Sequence, residues 1–119
     1  VLDQSVHALD IAGTMSVYQR TSPGADWTDP SSFVVGTEVA RFGLTMQDVL
    51  AVFAPGQGLP TLGGDMRQTL AKHLTGALAG KTFGFKGQRL RLSATGLGQL
   101  VDPVTLNARL EIAGSWTAE

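Results

Sequence analysis

The chain has 119 residues, a formal net charge of −1, only 16% charged residues and no cysteine. That length fits a single domain over residues 1–119 with one core, and the missing thiols exclude disulfides, thiolate metal sites and cysteine nucleophiles. Sparse charge gives little protection against self-association, while the longest unbroken apolar run, residues 49–54, is far below the roughly 20 needed for a membrane-spanning helix, which predicts a soluble chain.

From residue 6 to 20, His7, Leu9, Ile11, Met15 and Val17 share one parity, opposite Asp10, Thr14, Ser16 and Tyr18. This is the period of a strand with one face on a core. Residues 21–32 (TSPGADWTDPSS) gather Pro, Gly, Asp and hydroxyls, turn chemistry over about twice the usual connection length. Residues 33–42, rich in Val and Phe, are expected to pair back on the first strand. The spacing then turns helical. Met46, Val49, Leu50 and Phe53 fall at i, i+3, i+4 and i+7, with Thr45 and Asp48 as a capping-box-like start and Pro55-Gly56 as a stop. A second helix is predicted from a cap at Asp65 to Gly80, with Met66, Leu70, His73, Leu74, Ala77 and Leu78 in one stripe. Phe83, Phe85, Leu90, Leu92 and Ala94 then suggest a strand bent near Gly87-Gln88, and residues 97–103 a wide connection. In the last strand Val104, Leu106, Ala108, Leu110, Ile112 and Trp116 alternate with Thr105, Asn107, Arg109, Glu111, Ser115 and Thr117.

Head and tail of the chain nearly repeat each other. Residues 9–17 read LDIAGTMSV and residues 110–118 read LEIAGSWTA, each substitution conserving character. Both copies lie in alternating stretches, which sets the register of two strands, and Gly13 and Gly114 leave matching gaps on the apolar parity. If the two ends paired antiparallel, Trp116 could lie over the bare Gly13 backbone.

Candidate chemistry is thin. Residues 75–82 (TGALAGKT) superficially resemble a phosphate-binding loop, but three residues rather than four separate Gly76 from Gly80, and the predicted element order is reversed. His7 and His73 lack H-x-H or H-x-x-x-H spacing and would need Asp10 or Asp48 to hold a metal. Each is better explained as a hydrogen-bonded, partly buried side chain. Trp27 between Asp26 and Asp29 could form an aromatic platform beside carboxylates, although loop aspartates ordinarily serve turns. No catalytic, cofactor or metal site is expected, and the chain reads as non-enzymatic.

Charge is unevenly spread: residues 1–65 carry seven acids and two bases, residues 66–119 seven bases and three acids. Arg67, Lys72, Lys81, Lys86, Arg89 and Arg91 follow one another with no acid between them. Phe83 and Phe85 among them raise a single-strand nucleic-acid groove, but an acidic overall balance and core parity argue against it. The expected fold is α+β: an antiparallel sheet of about four long strands, order β-β-α-α-β-β, with two helices on one face. The expected function is a structural subunit that associates with copies of itself or with neighbouring subunits, as in a tube, ring, envelope or virion-type particle. Arg67, Lys72, Lys81, Lys86, Arg89, Arg91, Leu110, Ile112 and Trp116 are its interface candidates. The alternative is a small apolar-ligand or lipid carrier with a groove lined by Leu70, Leu74, Phe83, Phe85 and Trp116.

Overall fold

The computed structural model describes residues 5–102, 104–105 and 107–119. It is a five-stranded antiparallel meander of β1 (Ser5–Gln19), β2 (Thr37–Ala54), β3 (Gln57–Ala71), β4 (Arg89–Asp102) and β5 (Asn107–Ala118), hydrogen-bonded in chain order. Short 3-10 turns occur at Pro30–Val34 and Gly76–Leu78. No α-helix occurs among the described residues, which overturns the α+β expectation. The first expected helix is the second half of β2; the second is β3 followed by an irregular connection.

The physical reason is a degeneracy of spacing. An i, i+4 pair lies on one face of a helix and equally on one face of a strand. Phe42, Leu44, Met46, Asp48, Leu50 and Val52 therefore share a face of β2, while Val49 and Phe53, which complete the helical stripe with Met46 and Leu50, belong to or border the other. In β3 the same parity carries Gly58, Pro60, Leu62, Gly64, Met66 and Gln68, mostly buried in strict alternation. Pro55-Gly56 ends no helix. With Gly56 at φ 70° it turns β2 directly into β3, whose pairing starts at Ala54 opposite Gln57.

Two further boundaries differ from expectation. Phe83 and Phe85 lie in the connection before β4, and residues 97–102 belong to β4 rather than to a turn. Pro103 and Leu106 lie outside the described residues. β1 and β5, the near-repeated segments, form the two opposite edges of the sheet and do not pair with each other.

The sheet is strongly curved. Phe42 on β2 and Trp116 on β5 have ring centroids 6.4 Å apart, whereas three strand spacings in a flat sheet amount to about 14 Å. The apolar face is thus the concave one. Glycine permits the bend: a Cβ on Gly64 would run into the Thr45 carbonyl, and one on Gly114 into the Ser93 carbonyl. The buried cluster of Ala40, Phe42, Met66 and Leu90, with Met15, Val17 and Leu44 against it, sits at one end of this concavity. The molecule is elongated, 59 × 32 × 20 Å, with a radius of gyration of 17.0 Å against about 13.5 Å for a compact domain of this length.

Candidate assembly surface

One end of the sheet is roofed by the two long connections, residues 20–36 and 72–88. The second is fastened by Gln68, which is 1% exposed. Its Nε2 donates to the carbonyls of Leu70 (2.9 Å) and Phe83 (2.6 Å), its backbone N–H to the Gln88 carbonyl (2.8 Å), and its own carbonyl accepts from Gly87 (2.8 Å). Phe83 is thereby held edge-on to Phe42, centroids 6.2 Å apart. Gln19, at the end of β1, exchanges hydrogen bonds with the backbone of Thr75 at 3.0 and 2.8 Å. Gln19 and Gln68 anchor the roof, yet neither stands out in the sequence, because an amide on a strand announces no role until its partners arrive from elsewhere in the chain.

The other connection is organised by its aspartates. Asp26 accepts from the N–H and hydroxyl of Thr28 (2.8 and 2.7 Å), and Asp29 from those of Ser31 (3.0 and 2.6 Å). The Thr28 backbone bond holds the Asp26 carboxyl below its usual range. Trp27 stands exposed against Phe33, centroids 5.0 Å apart. Both acids of the supposed platform are thus engaged in turns. His7 Nε2 lies 3.1 Å from Ser5 Oγ and His73 Nδ1 lies 3.3 Å from the Gly80 carbonyl. Among the described residues no group of three His, Asp or Glu side chains could hold a metal.

Beyond the buried cluster the concave face is open, with only Trp27 of the 20–36 connection bordering the hollow that Gly96, Leu110 and Ile112 line. Leu9 on one edge strand is 46% exposed, and Leu110 and Ile112 on the other are 45% and 49% exposed; Trp116, which reaches Phe42 at the roofed end, is still 44% exposed. Leu110 and Ile112 stand opposite Gly98 and Gly96 of β4, so bare backbone flanks them on one side and the open edge on the other. Apolar residues also populate the convex face there, with Val6, Val49, Leu59 and Leu97 all exposed. The uncovered region continues into a cleft of about 220 Å³ lined by Leu50, Val52, Gly58, Leu100, Ala108 and Leu110.

The six cations gather at the roofed end. Arg67, Arg89 and Arg91 project from the convex face, where Arg67 lies directly opposite Arg89 and Arg91 opposite Asp65. Lys72, Lys81 and Lys86 lie on the connection between β3 and β4. Arg91 approaches Asp65 at 3.7 Å and Glu119 at 3.5 Å. Elsewhere Arg41 pairs with Glu38, holding that carboxyl below its usual range by hydrogen bonding, with a further bond from Ser16. Among the described residues no ion pair engages Arg67 or Arg89. Of the groove candidates, Phe83 and Trp116 meet on Phe42, Leu70 and Leu74 are half-buried, and Phe85 is exposed on the connection. They do not line a common cavity; the apolar cleft lies at the opposite, unroofed end.

No family model matches this chain, and no curated protein or solved structure matches it either.

Proposed function

We propose that this chain is a non-enzymatic structural subunit that becomes complete on joining other copies or neighbouring subunits in a larger complex. The observation that carries the reading is the uncovered half of the concave face. Leu9, Leu110, Ile112 and Trp116 line the two open edges of a sheet whose apolar side is roofed only at one end, and large apolar patches bordered by polar residues mark contact surfaces. The area agrees. The chain exposes 8485 Å², whereas a compact monomer of its mass exposes about 6,200 Å²; the excess of about 2,300 Å² is more than the roughly 800 Å² per partner that a standard protein contact buries.

Light scattering coupled to size exclusion tests this. A discrete species heavier than one chain is expected, and a monomer at every concentration overturns the reading. Repeating the measurement in high salt tests the role of charge, because exposed ion pairs are screened within about 10 Å at 0.1 M salt; dissociation on adding salt would place opposite charges in the contact.

The apolar cleft at the unroofed end favours a second reading, a carrier of small apolar molecules. At about 220 Å³ it falls below the roughly 300–1,000 Å³ of typical ligand pockets. A monomer that yields a stoichiometric apolar compound on organic extraction and mass spectrometry would favour the carrier.

A further inference from the structure

We infer that β5 pairs antiparallel with β5 of a second copy about a two-fold axis at Gly114, extending the meander into one ten-stranded sheet. The inference rests on the assembly reading and specifies its contact.

The first argument is the edge itself. All twelve residues of β5 are exposed, although half of them carry the apolar parity. Open edges are normally blunted by Pro, Lys, a bulge or a charge directed inward. β5 has no Pro and no Lys, runs without a register shift from Ala108 to Ala118, and keeps Arg109 and Glu111 on the convex side. β1, the other edge, is irregular at Val17/Tyr18 and tied at Gln19 to Thr75. The less guarded edge is β5, and its row of backbone donors and acceptors calls for another strand.

The second argument is self-complementarity. Antiparallel neighbours share a face, so a two-fold axis must pass through a residue if the concave faces are to remain on one side. With the axis at Gly114, Ile112 faces the second copy's Trp116, Leu110 faces Ala118, Ala113 faces Ser115, and Arg109, which within its own chain pairs with Glu111 at 3.1 Å, faces Glu119 twice by symmetry. An axis at Ala113 or Ile112 gives Arg109 no acid opposite it, and an axis at Ser115 sets Glu111 against Glu119. The Gly114 register alone among these matches apolar with apolar and opposite charges with each other. Its overlap, residues 109–119, runs about 34 Å. Same-face pairing also joins the two exposed rows of Leu110, Ile112 and Trp116 into one continuous apolar strip.

The chain contains no cysteine, so introduced thiols report alone. Ala113→Cys and Ser115→Cys, both on the exposed convex side, are made separately, mixed and oxidised. In the Gly114 register Cys at 113 lies directly across from Cys at 115 of the second copy, within disulfide reach, whereas two copies of the same variant hold their thiol-bearing residues about 8 Å apart. The mixed disulfide is expected to exceed either same-variant disulfide several-fold. Equal yields of all three, or no cross-link in a sample that light scattering shows to be oligomeric, overturn the β5 pairing while leaving the assembly reading in place. A monomer before and after mixing overturns both.

Discussion

Gln68 shows how much a single buried amide can organise. It sits on the concave parity of β3 among Met66, Leu90 and Phe42, where an apolar side chain would pack, and spends its donors on two carbonyls of chain that is otherwise irregular. Truncation strands both carbonyls, and an unmet buried polar group costs about 1–3 kcal/mol. Gln68→Ala is therefore expected to lower stability by about 2 kcal/mol in chemical denaturation and to raise amide exchange across residues 81–88 before it affects the β1–β2 ladder. Gly64 makes the complementary case, since its missing side chain lets β2 and β3 close up. Gly64→Ala should cost about 1–3 kcal/mol through overpacking, read as a lower denaturation midpoint with an unchanged m-value. The turn carboxyls give a pH dependence. Asp26 and Asp102 are held below the ordinary 3.8 by hydrogen bonds, Asp26 chiefly from the Thr28 backbone and Asp102 chiefly from the Thr105 hydroxyl. A carboxyl with a lowered folded pKa stabilises fully above its unfolded value and loses that contribution as pH falls through the folded one. Melting temperature should thus stay level near neutrality and decline below about pH 4, and the decline should shrink in Asp26→Asn.

Among the elements, the outer strands were legible and the central hairpin was not. β1 and β5 alternate without competing signals; β1 lies where the sequence pattern sets it, and β5 does so from Asn107, with Val104 and Thr105 in the turn before it. The second half of β2 and the end of β3 from Asp65 carry helical spacing because Leu50 and Met46, or Met66 and Leu70, are spaced by four, a distance that serves either geometry. Gly58, Pro60, Gly63 and Gly64 weighed against a regular helix continuing back through that stretch, but their positive role became visible only with the pleat: Pro60 is fully buried opposite Leu50, and Thr95 donates to its carbonyl at 3.1 Å. The uneven distribution of charge was plain in the sequence, whereas the facing of Arg67 and Arg89 needed the β3–β4 register. Like charges directly opposed across a ladder destabilise it. Arg67→Glu should gain about 0.2–1 kcal/mol at low ionic strength, and the gain should fade as salt is added in parallel urea titrations.

For the whole molecule, the distribution of cover matters more than the amount of core. The roof is made of irregular connections gathered at one end, leaving the far half of a 59 Å body with bare sheet. Phe42 is fully buried and touches the rings of both Phe83 and Trp116, so Phe42→Ala should cost about 3–5 kcal/mol, a large share of the roughly 5–15 kcal/mol that holds an ordinary domain folded. Ile112→Lys, on the open half, should leave the melting temperature nearly unchanged in the isolated chain and shift light-scattering mass toward a single copy. The two substitutions separate folding from association.

Five is an odd number of strands, and that parity has a geometric result. In an antiparallel meander the first and fifth strands run in the same direction, so a single chain could close into a cylinder only through a parallel seam, which β1 and β5 do not form. Two chains joined β5 to β5 across a dyad make an even count of ten, with every neighbouring pair antiparallel and the two β1 strands, each irregular at Val17/Tyr18, as the outer borders.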